Sequence, residues 1–323
     1  MVKLSGPLGM FELSRFLTRR YPRIMMYHRF SHTPREDRVC ADTFEKQMRV
    51  LSKRFNVMDL RDVVTALRQG HDLPSHTVVI TVDDGYRDFY DVAFPILKQY
   101  RLPATLYATT GFINGDLWLW PDKIHYILNQ CHDEKLELSM GGNEVIVSLA
   151  SPSLKKQTWG ILVDYCISVF KQEREDFVKY LAKKTRVNID AIPSEDYQAV
   201  NWEQVKEMAN HGINIGAHTC SHPILSKLES KDVTYEVVES KNKLEDVLGH
   251  TVSCFCYPNG EAKDFNDHVK QTVIDAGFSN SVAAFFDKET WNDLYEIRRH
   301  GVGEDEFQFN KVVYGVEYLG SKI

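Results

Sequence analysis

Thr81-Val-Asp-Asp-Gly85 ends an apolar, mostly β-branched run that starts at Thr77. Such a run, without polar alternation, predicts a strand that is covered on both faces, as in a parallel sheet. Neighbouring strand residues normally point to opposite faces, but the glycine after the two aspartates lets the backbone turn both carboxylates toward one cavity. Two adjacent carboxylates repel each other unless a cation neutralises one of them. The stretch therefore predicts a metal site at the end of a strand.

A histidine pair far downstream supplies the other ligands that such a site needs. His218-Thr-Cys-Ser-His222-Pro follows a predicted strand at 213–217, and the proline disfavours a helical backbone at His222, so we expect a bend from strand into loop. One carboxylate and two imidazoles form a three-ligand site with an open position, which is typical of catalytic zinc and also suits cobalt, nickel or iron. The second carboxylate is then free to act as a general base. The two motifs together predict a metal-dependent hydrolase.

Short apolar runs alternate with amphipathic stretches along most of the chain. This alternation predicts βα units and an α/β fold with a parallel barrel or sheet. We expect strands at 23–28, 77–82, 104–109, 213–217, 253–257 and 279–284, and helices at 42–54, 60–69, 87–100, 231–249 and 264–277. The polar residues of the two motifs follow strands, which predicts a site at the carboxyl-terminal face of the strands.

Residues 112–198 interrupt the alternation. An aromatic-rich helix, a hairpin around Gly141-Gly142-Asn143 and charged helices are expected there. We interpret the segment as a mainly helical insertion that forms a cap or lid beside the site; a helical layer without a substrate role is the alternative. The predicted organisation is an N-terminal helix at 1–22, a first barrel part at 23–111, the insertion, and a second barrel part at 199–323.

The composition excludes some classes of function. The 323 residues carry a formal net charge of −6 and no basic run, so we expect no nucleic-acid partner. No apolar stretch approaches the roughly 20 residues that span a bilayer, and the first residues lack the features of a signal peptide. We therefore expect a cytoplasmic protein without a transmembrane segment. The apolar residues of the N-terminal helix are expected to dock on the domain: Phe11, Leu13, Phe16 and Leu17.

Four stretches of the sequence carry a family resemblance. They are Met25-Met-Tyr-His-Arg29, Thr81-Val-Asp-Asp-Gly85, His218-Thr-Cys-Ser-His222-Pro and Phe255-Cys-Tyr-Pro-Asn-Gly260. The first is similar to the opening strand, and the other three, in the same order, to the first three motifs, of the polysaccharide deacetylase (NodB-homology) family. The resemblance runs from Ile24 to Val302, apart from the insertion. It implies a distorted, incomplete (β/α) barrel that removes acetyl groups from sugars with a divalent metal.

Matched residue by residue, the resemblance implies a role for each part of the site. The catalytic base is Asp83. The metal ligands are Asp84, His218 and His222. The substrate and oxyanion contacts are Tyr257, Pro258 and Asn259, and a backbone N–H near Asn259 stabilises the oxyanion alongside the metal.

Two positions depart from the family pattern. Cys256 stands where most members have an arginine that orients the base, and Arg298 or Arg299 is a candidate to take over that task. The late histidine that serves as general acid in the family has no clear match. The candidates for this role are His300 and His28, the latter at the end of the first predicted strand.

The expected function is the removal of acetyl groups from an amino sugar or glycan, on an intracellular precursor. One alternative is an amidase or deformylase that acts on a non-polymeric or lipid-linked substrate. The other is a non-catalytic glycan-binding protein on the same fold. The four intact residues argue against this last alternative, because a binding module needs no base beside a metal: Asp83, Asp84, His218 and His222.

Overall fold

The computed structural model describes residues 7–115, 117–286 and 291–320. Its strands are β1 Arg23–Tyr27, β2 Phe30–Ser31, β3 Val39–Cys40, β4 Asn56–Val57, β5 Thr77–Val82, β6 Ala104–Ala108, β7 Lys135–Met140, β8 Asn143–Ser148, β9 Ile213–Ala217, β10 Cys254–Cys256, β11 Asn280–Ala283, β12 Ile297–Arg298 and β13 His300–Gly301. All six predicted barrel strands are present at the expected places.

The helices alternate with these strands. They are α1 Pro7–Leu17, α2 Ala41–Arg54, α3 Leu60–Arg68, α4 Phe94–Tyr100, α5 Thr110–Ile113, α6 Trp120–Gln130, α7 Pro152–Ser168, α8 Lys171–Thr185, α9 Trp202–Asn210, α10 Ser230–Leu248, α11 Asp267–Asp275, α12 Glu306–Val313 and α13 Val316–Gly320. A π-helical stretch, Phe89–Ala93, precedes α4, where the sequence predicts one helix interrupted near Pro95.

One sheet forms a nearly closed barrel. Its strands lie in the order β12–β11–β10–β9–β6–β5–β1–β13, all pairs are parallel, and β4 pairs with β5. The two end strands, β12 and β13, are separated in sequence only by Arg299. The segment from β12 to β13 therefore links the two edges of the sheet. The predicted distorted, incomplete (β/α) barrel is confirmed.

The barrel strands are buried because helices cover the sheet, which explains their unbroken apolar runs. Every residue of β5, β6 and β9 is buried. The packing between β6 and β9 requires a glycine: a Cβ at Gly216 would lie 2.5 Å from the ring of Tyr107 and 3.0 Å from the carbonyl oxygen of Cys254.

The segment predicted as an insertion has a hydrophobic cluster of its own. Residues of α6, α7 and α8 and of the antiparallel hairpin β7–β8 pack together in this cluster. The expected aromatic-rich helix, hairpin and charged helices are therefore all present. The domain boundaries themselves stay a prediction.

The N-terminal helix docks through fewer residues than expected. Phe11 is buried and packs its ring 5.4 Å from that of Tyr314 on the domain. By contrast, Leu13, Phe16 and Leu17 are 48%, 59% and 52% exposed, so the expectation that these three dock is wrong. The buried face of α1 is completed by small polar residues, Ser14 and Thr18. Residues 1–6 of the predicted helix lie outside the described residues.

Helices that combine the length and the hydropathy of a membrane span do not occur in the described ranges.

We predict that Gly216→Ala destabilises the barrel. The added methyl group meets the Tyr107 ring inside a filled core, and overpacking of this kind costs about 1–3 kcal/mol of unfolding free energy. Gly160→Ala in α7 is the matched control, because nothing lies within 4 Å of the added Cβ; we expect it to stabilise α7 by up to about 1 kcal/mol. Urea unfolding measures both, and equal effects of the two substitutions would contradict this account.

Candidate active site

The ends of the parallel strands meet at one cavity of about 1060 Å³. Asp83 and Asp84 follow β5, His28 follows β1 and His218 follows β9, and all four side chains line this cavity. Residues from the insertion form another part of its wall, among them Trp120. The prediction that polar side chains collect at one face of the barrel holds, and the insertion lies beside them.

Asp84, His218 and His222 form a group that fits a divalent cation. The Oδ1 atom of Asp84 lies 3.4 Å from the Nε2 atom of each histidine, and the candidate ligand atoms all lie within 4.8 Å of one another. This Oδ1 is buried and has no hydrogen-bond partner among the residues that the structure describes. A buried acceptor without a donor is costly, and a bound cation would remove that cost. The donor set of one carboxylate and two imidazoles is the one expected for catalytic zinc.

The imidazole of His218 is oriented for a ligand role. Its Nδ1 lies 2.8 Å from the carbonyl oxygen of Cys256, which can only accept, so Nδ1 carries a proton and Nε2 is the ring nitrogen that faces Asp84. Histidines that bind metals are typically held in this way. Burial lowers the pKa of His222 to about 4, which keeps this second imidazole neutral.

The loop between the two histidines is held by a residue that the sequence analysis missed. Glu236, buried on α10, accepts hydrogen bonds from the backbone N–H groups of Cys220 and Ser221 at 2.8 and 2.9 Å. Its position on the buried face of an amphipathic helix was a signal, because an unpaired acid is rarely placed there.

Three non-glycine residues in the two motifs that supply the candidate metal ligands have left-handed backbones. The φ angles are 77° at Asp84, 66° at Thr219 and 53° at His222. This region is unfavourable for residues with a Cβ, and such strain concentrates at functional sites. At Asp84 it turns the second carboxylate away from the strand direction of Asp83. The backbone turn that the sequence predicts at Gly85, where φ is 95°, is therefore made at Asp84 as well.

Asp83 is held by an arginine rather than by the imidazoles. Both of its oxygens accept hydrogen bonds from Arg299, each at 2.7 Å, and the pair is buried. The same guanidinium donates to Thr81 Oγ1 at 3.0 Å and to the carbonyl oxygen of Ala283 at 2.9 Å. Burial alone would raise the pKa of Asp83, but Arg299 outweighs it and lowers the pKa, so the carboxyl group is ionised.

Of the two candidate arginines, only one contacts the predicted base. Arg298 points the other way and donates to Glu296 at 3.0 Å. Cys256, at the position where most family members have the orienting arginine, lies with its Sγ 3.1 Å from Arg299 Nη2. The guanidinium therefore reaches Asp83 from the segment that links β12 to β13.

The two candidate acids lie in different environments. His28 is half-exposed in the cavity, with Nε2 3.8 Å from Asp83 Oδ2. His300 is buried: its Nδ1 lies 2.6 Å from Glu317 Oε2, and its ring stacks on Phe286 at 3.8 Å. Because neighbouring strand residues point to opposite faces, Arg299 takes the inward position and His300 points outward. This corrects the prediction that His300 is an acid at the site.

The third motif contributes through its backbone. Tyr257 lines the cavity, but its hydroxyl donates to the carbonyl oxygen of Tyr295 at 2.9 Å. Pro258 is not among the described residues that line the cavity. Asn259 has a φ of 59°, its side chain donates to buried Asp264, and none of the described residues accepts a hydrogen bond from its backbone N–H. That N–H is therefore available to a ligand.

A buried polar cluster on the cavity wall was also missed. The Tyr86 hydroxyl donates to Asp122 Oδ2 at 2.8 Å, and Arg29 lies 3.7 Å above the Tyr86 ring and 4.0 Å from Asp122. Burial raises the pKa of Asp122 to about 7. The cluster links the insertion to the barrel, and no local sequence signal marks it because its members are distant in the chain.

We predict that Asp122 makes stability depend on pH. Because folding raises its pKa, the folded protein keeps a proton that the unfolded chain releases, and the resulting stability is lost as the pH rises through about 7. Asp122→Asn is neutral at every pH, while the charged neighbours of this position, Arg29, Arg38 and Asp84, are the same as in the wild type. The melting temperature of the wild type minus that of the variant should fall between about pH 5 and about pH 8.

Asp164→Asn, at an exposed position on α7, is the control for the same chemical change. The melting temperature of this variant should change with pH as that of the wild type does. Parallel pH dependences of the wild type and Asp122→Asn would contradict the assignment.

Comparisons with known proteins identify the family. The sequence profile described as polysaccharide deacetylase matches residues 70–139 and 153–281. The poly-beta-1,6-N-acetyl-D-glucosamine N-deacetylase of Staphylococcus epidermidis is 28% identical over 143 residues, which cover 44% of this chain and 48% of that protein. The chain spans less than two thirds of the length of the curated relatives it matches.

Solved structures share the fold. The Streptococcus pyogenes deacetylase PplD, in complex with acetate, has a TM-score of 0.59 at 20% identity, covering 89% of this chain and 95% of its own. IcaB from Ammonifex degensii has a TM-score of 0.60 at 16% identity, covering 90% and 95%. The profile match spans more than half of the 323 residues. The chain belongs to the polysaccharide deacetylase family.

Proposed function

We propose that this protein is a metal-dependent hydrolase that removes acetyl groups from an amino sugar or glycan. The observation that carries the proposal is the division of two adjacent carboxylates between different partners. Asp84 lies with two imidazoles, whereas Asp83 is bound by Arg299. One carboxylate is thus available to a cation and the other stays ionised beside it, as hydrolysis of an amide by water requires.

Asp84, His218 and His222 would hold the cation, and zinc suits this donor set best. When bound, a divalent cation supplies positive charge that polarises the acetyl carbonyl. Asp83 is not a competing ligand, although it forms a second group with His218 and Cys256, because both of its oxygens are already engaged by Arg299.

The general base is Asp83. Its carboxylate is ionised, lines the cavity and is fixed in orientation by the bidentate contact with Arg299. It takes the proton from the water that attacks the acetyl carbon. The orienting contact matters because a base that rotates loses its alignment with the attacking water.

The general acid is His28. It enters the cavity from the end of β1, and its half-exposed ring lies 3.8 Å from Asp83. Once the tetrahedral centre collapses, the leaving amine needs a proton, and an imidazole beside the base is suited to deliver it. The free N–H of Asn259, in the same cavity, is the donor that stabilises the oxyanion.

The substrate class follows from the family and from the cavity. The named relatives in Staphylococcus epidermidis and Escherichia coli deacetylate poly-β-1,6-N-acetyl-D-glucosamine, and the cavity of about 1060 Å³ lies at the upper end of the size typical of a small-ligand pocket. Both support an acetylated glycan as the substrate. The arrangement of a held base and a half-exposed imidazole favours catalysis over glycan binding alone.

We predict that Asp83→Asn removes activity without removing the metal. The amide cannot accept the proton, so acetate release from N-acetylglucosamine oligomers should fall by about 10²–10⁴-fold while the metal content is unchanged. Asp84→Asn is the matched control, because the same substitution one residue away should lower the metal content. Measuring acetate together with metal by mass spectrometry separates the two. Full activity of Asp83→Asn, or its loss of metal, would contradict the division of roles.

We predict that Arg299→Lys lowers turnover more than it lowers metal binding. A lysine cannot reproduce the two parallel hydrogen bonds to Asp83, so we expect kcat to fall about tenfold or more. Arg298→Lys, at the adjacent position, should have kcat close to that of the wild type because Arg298 does not contact Asp83. If both variants kept the wild-type kcat, the orienting role would be wrong.

A further inference from the structure

A second cavity, of about 800 Å³, lies on the other side of Trp120. Trp120, in the first turn of α6, lines both this cavity and the one that contains Asp83 and Asp84. The remaining walls come from Leu117, Trp118 and Lys123, from α8, from residues 186–191 and from Ser221, which lies in the loop between His218 and His222. The second cavity is therefore adjacent to the proposed active site.

The walls of the second cavity are strongly basic. Six cationic side chains line it, against two acidic ones, in a protein whose net charge is −6. The cations are Lys123, Lys171, Arg174, Lys179, Lys183 and Arg186, and the acids are Glu175 and Asp190. Four of the cations lie on α8, where Lys171 and Arg174, three residues apart, and Lys179 and Lys183, four residues apart, form two neighbouring pairs.

Exposed lysines alone are typical of a solvated helix face, but one of these cations is buried. Arg174 is only 5% exposed, and its guanidinium lies 5.1 Å from the centre of the Trp120 ring. Within the described ranges it makes no ion pair, and its guanidinium has no hydrogen-bond acceptor. Burial lowers the pKa of Arg174, and the nearby Cys166 and Glu175 offset this effect only in part.

None of the guanidinium nitrogens of Arg174 is among the fully buried, unpartnered polar atoms of the described residues, so they face the cavity and are open to an acceptor from a ligand. Guanidinium groups bind carboxylates and phosphates through two parallel hydrogen bonds, and the surrounding lysines add long-range attraction for the same charge. The rest of the wall is apolar, with Leu117, Val178 and Ile189, and this suits the C–H face of a sugar ring. The geometry therefore favours a negatively charged sugar unit over a free inorganic ion.

We propose that the second cavity binds an anionic sugar unit, carrying a carboxylate or a phosphate, of the same glycan that is deacetylated in the first cavity. The proposal rests on the proposed function. Trp120 lines both cavities, so that neighbouring units of one chain occupy them on either side of this residue. The substrate is accordingly an anionic glycan, and Arg174 determines specificity for it.

Two oligosaccharides test the proposal: one of alternating glucuronate and N-acetylglucosamine, and one of N-acetylglucosamine alone. For Arg174→Gln we expect the KM of acetate release from the anionic oligosaccharide to rise about tenfold or more, with kcat unchanged, and the KM for the neutral one to stay the same. Lys184→Gln is the matched control, because Lys184 lies on α8 but does not line the cavity. If Arg174→Gln impairs folding, the triple variant Lys171→Gln, Lys179→Gln and Lys183→Gln replaces it.

Calorimetric binding of the anionic oligosaccharide to the Asp83→Asn protein separates this proposal from the proposed function, because it needs no turnover. We expect the anionic oligosaccharide to bind to the Asp83→Asn protein. Its affinity should fall about tenfold in the double variant that also carries Arg174→Gln, and it should fall as the ionic strength rises. Competition by inorganic phosphate assigns a phosphate as the natural anion, and competition by free glucuronate alone assigns a carboxylate. Equal affinity for the neutral and the anionic oligosaccharide, or affinity that neither variant changes, would overturn the proposal.

Discussion

A buried, bidentate ion pair between Arg299 and Asp83 links the segment that closes the barrel to the end of β5. Arg299 stands between β12 and β13, at the two edges of the sheet, and Asp83 stands at the end of β5. Removing one partner of such a pair leaves an uncompensated charge in the core, at a cost of about 3–5 kcal/mol. The pair therefore ties closure of the barrel to the orientation of the proposed base.

The contact with Arg299 also explains why the two neighbouring carboxylates, Asp83 and Asp84, have different partners. Because Arg299 occupies both oxygens of Asp83, only Asp84 is left to the imidazoles, and its left-handed backbone turns it toward them. Left-handed backbones thus occur on both segments that supply the candidate ligands, at Asp84 on one and at Thr219 and His222 on the other. The site is assembled by the ends of β1, β5 and β9, while residues of the segment 112–198 line another part of the cavity and add the polar cluster around Asp122.

Residues that directly follow strands could be predicted from sequence, because apolar runs mark the strands and parallel strands end at one face. Asp83, Asp84, His218 and His28 were found in this way. The sequence does not show which of Arg298, Arg299 and His300 points into the barrel. A strand places alternate residues on opposite faces, and the register is fixed only by the partners of β12 and β13. Glu236, Asp122 and Arg174 act through contacts between distant segments, which no local pattern records. The compartment and the intracellular precursor stay predictions.

Anomalous X-ray diffraction from crystals of the zinc-loaded protein would test the central claim most directly. The account predicts one anomalous peak at zinc-ligand distance, about 2.0–2.2 Å, from Asp84, His218 and His222, with Asp83 still bound to Arg299. A peak coordinated instead by Asp83, His218 and Cys256, the other group that could hold a metal, would contradict it. So would a zinc-bound protein in which Arg299 had left Asp83.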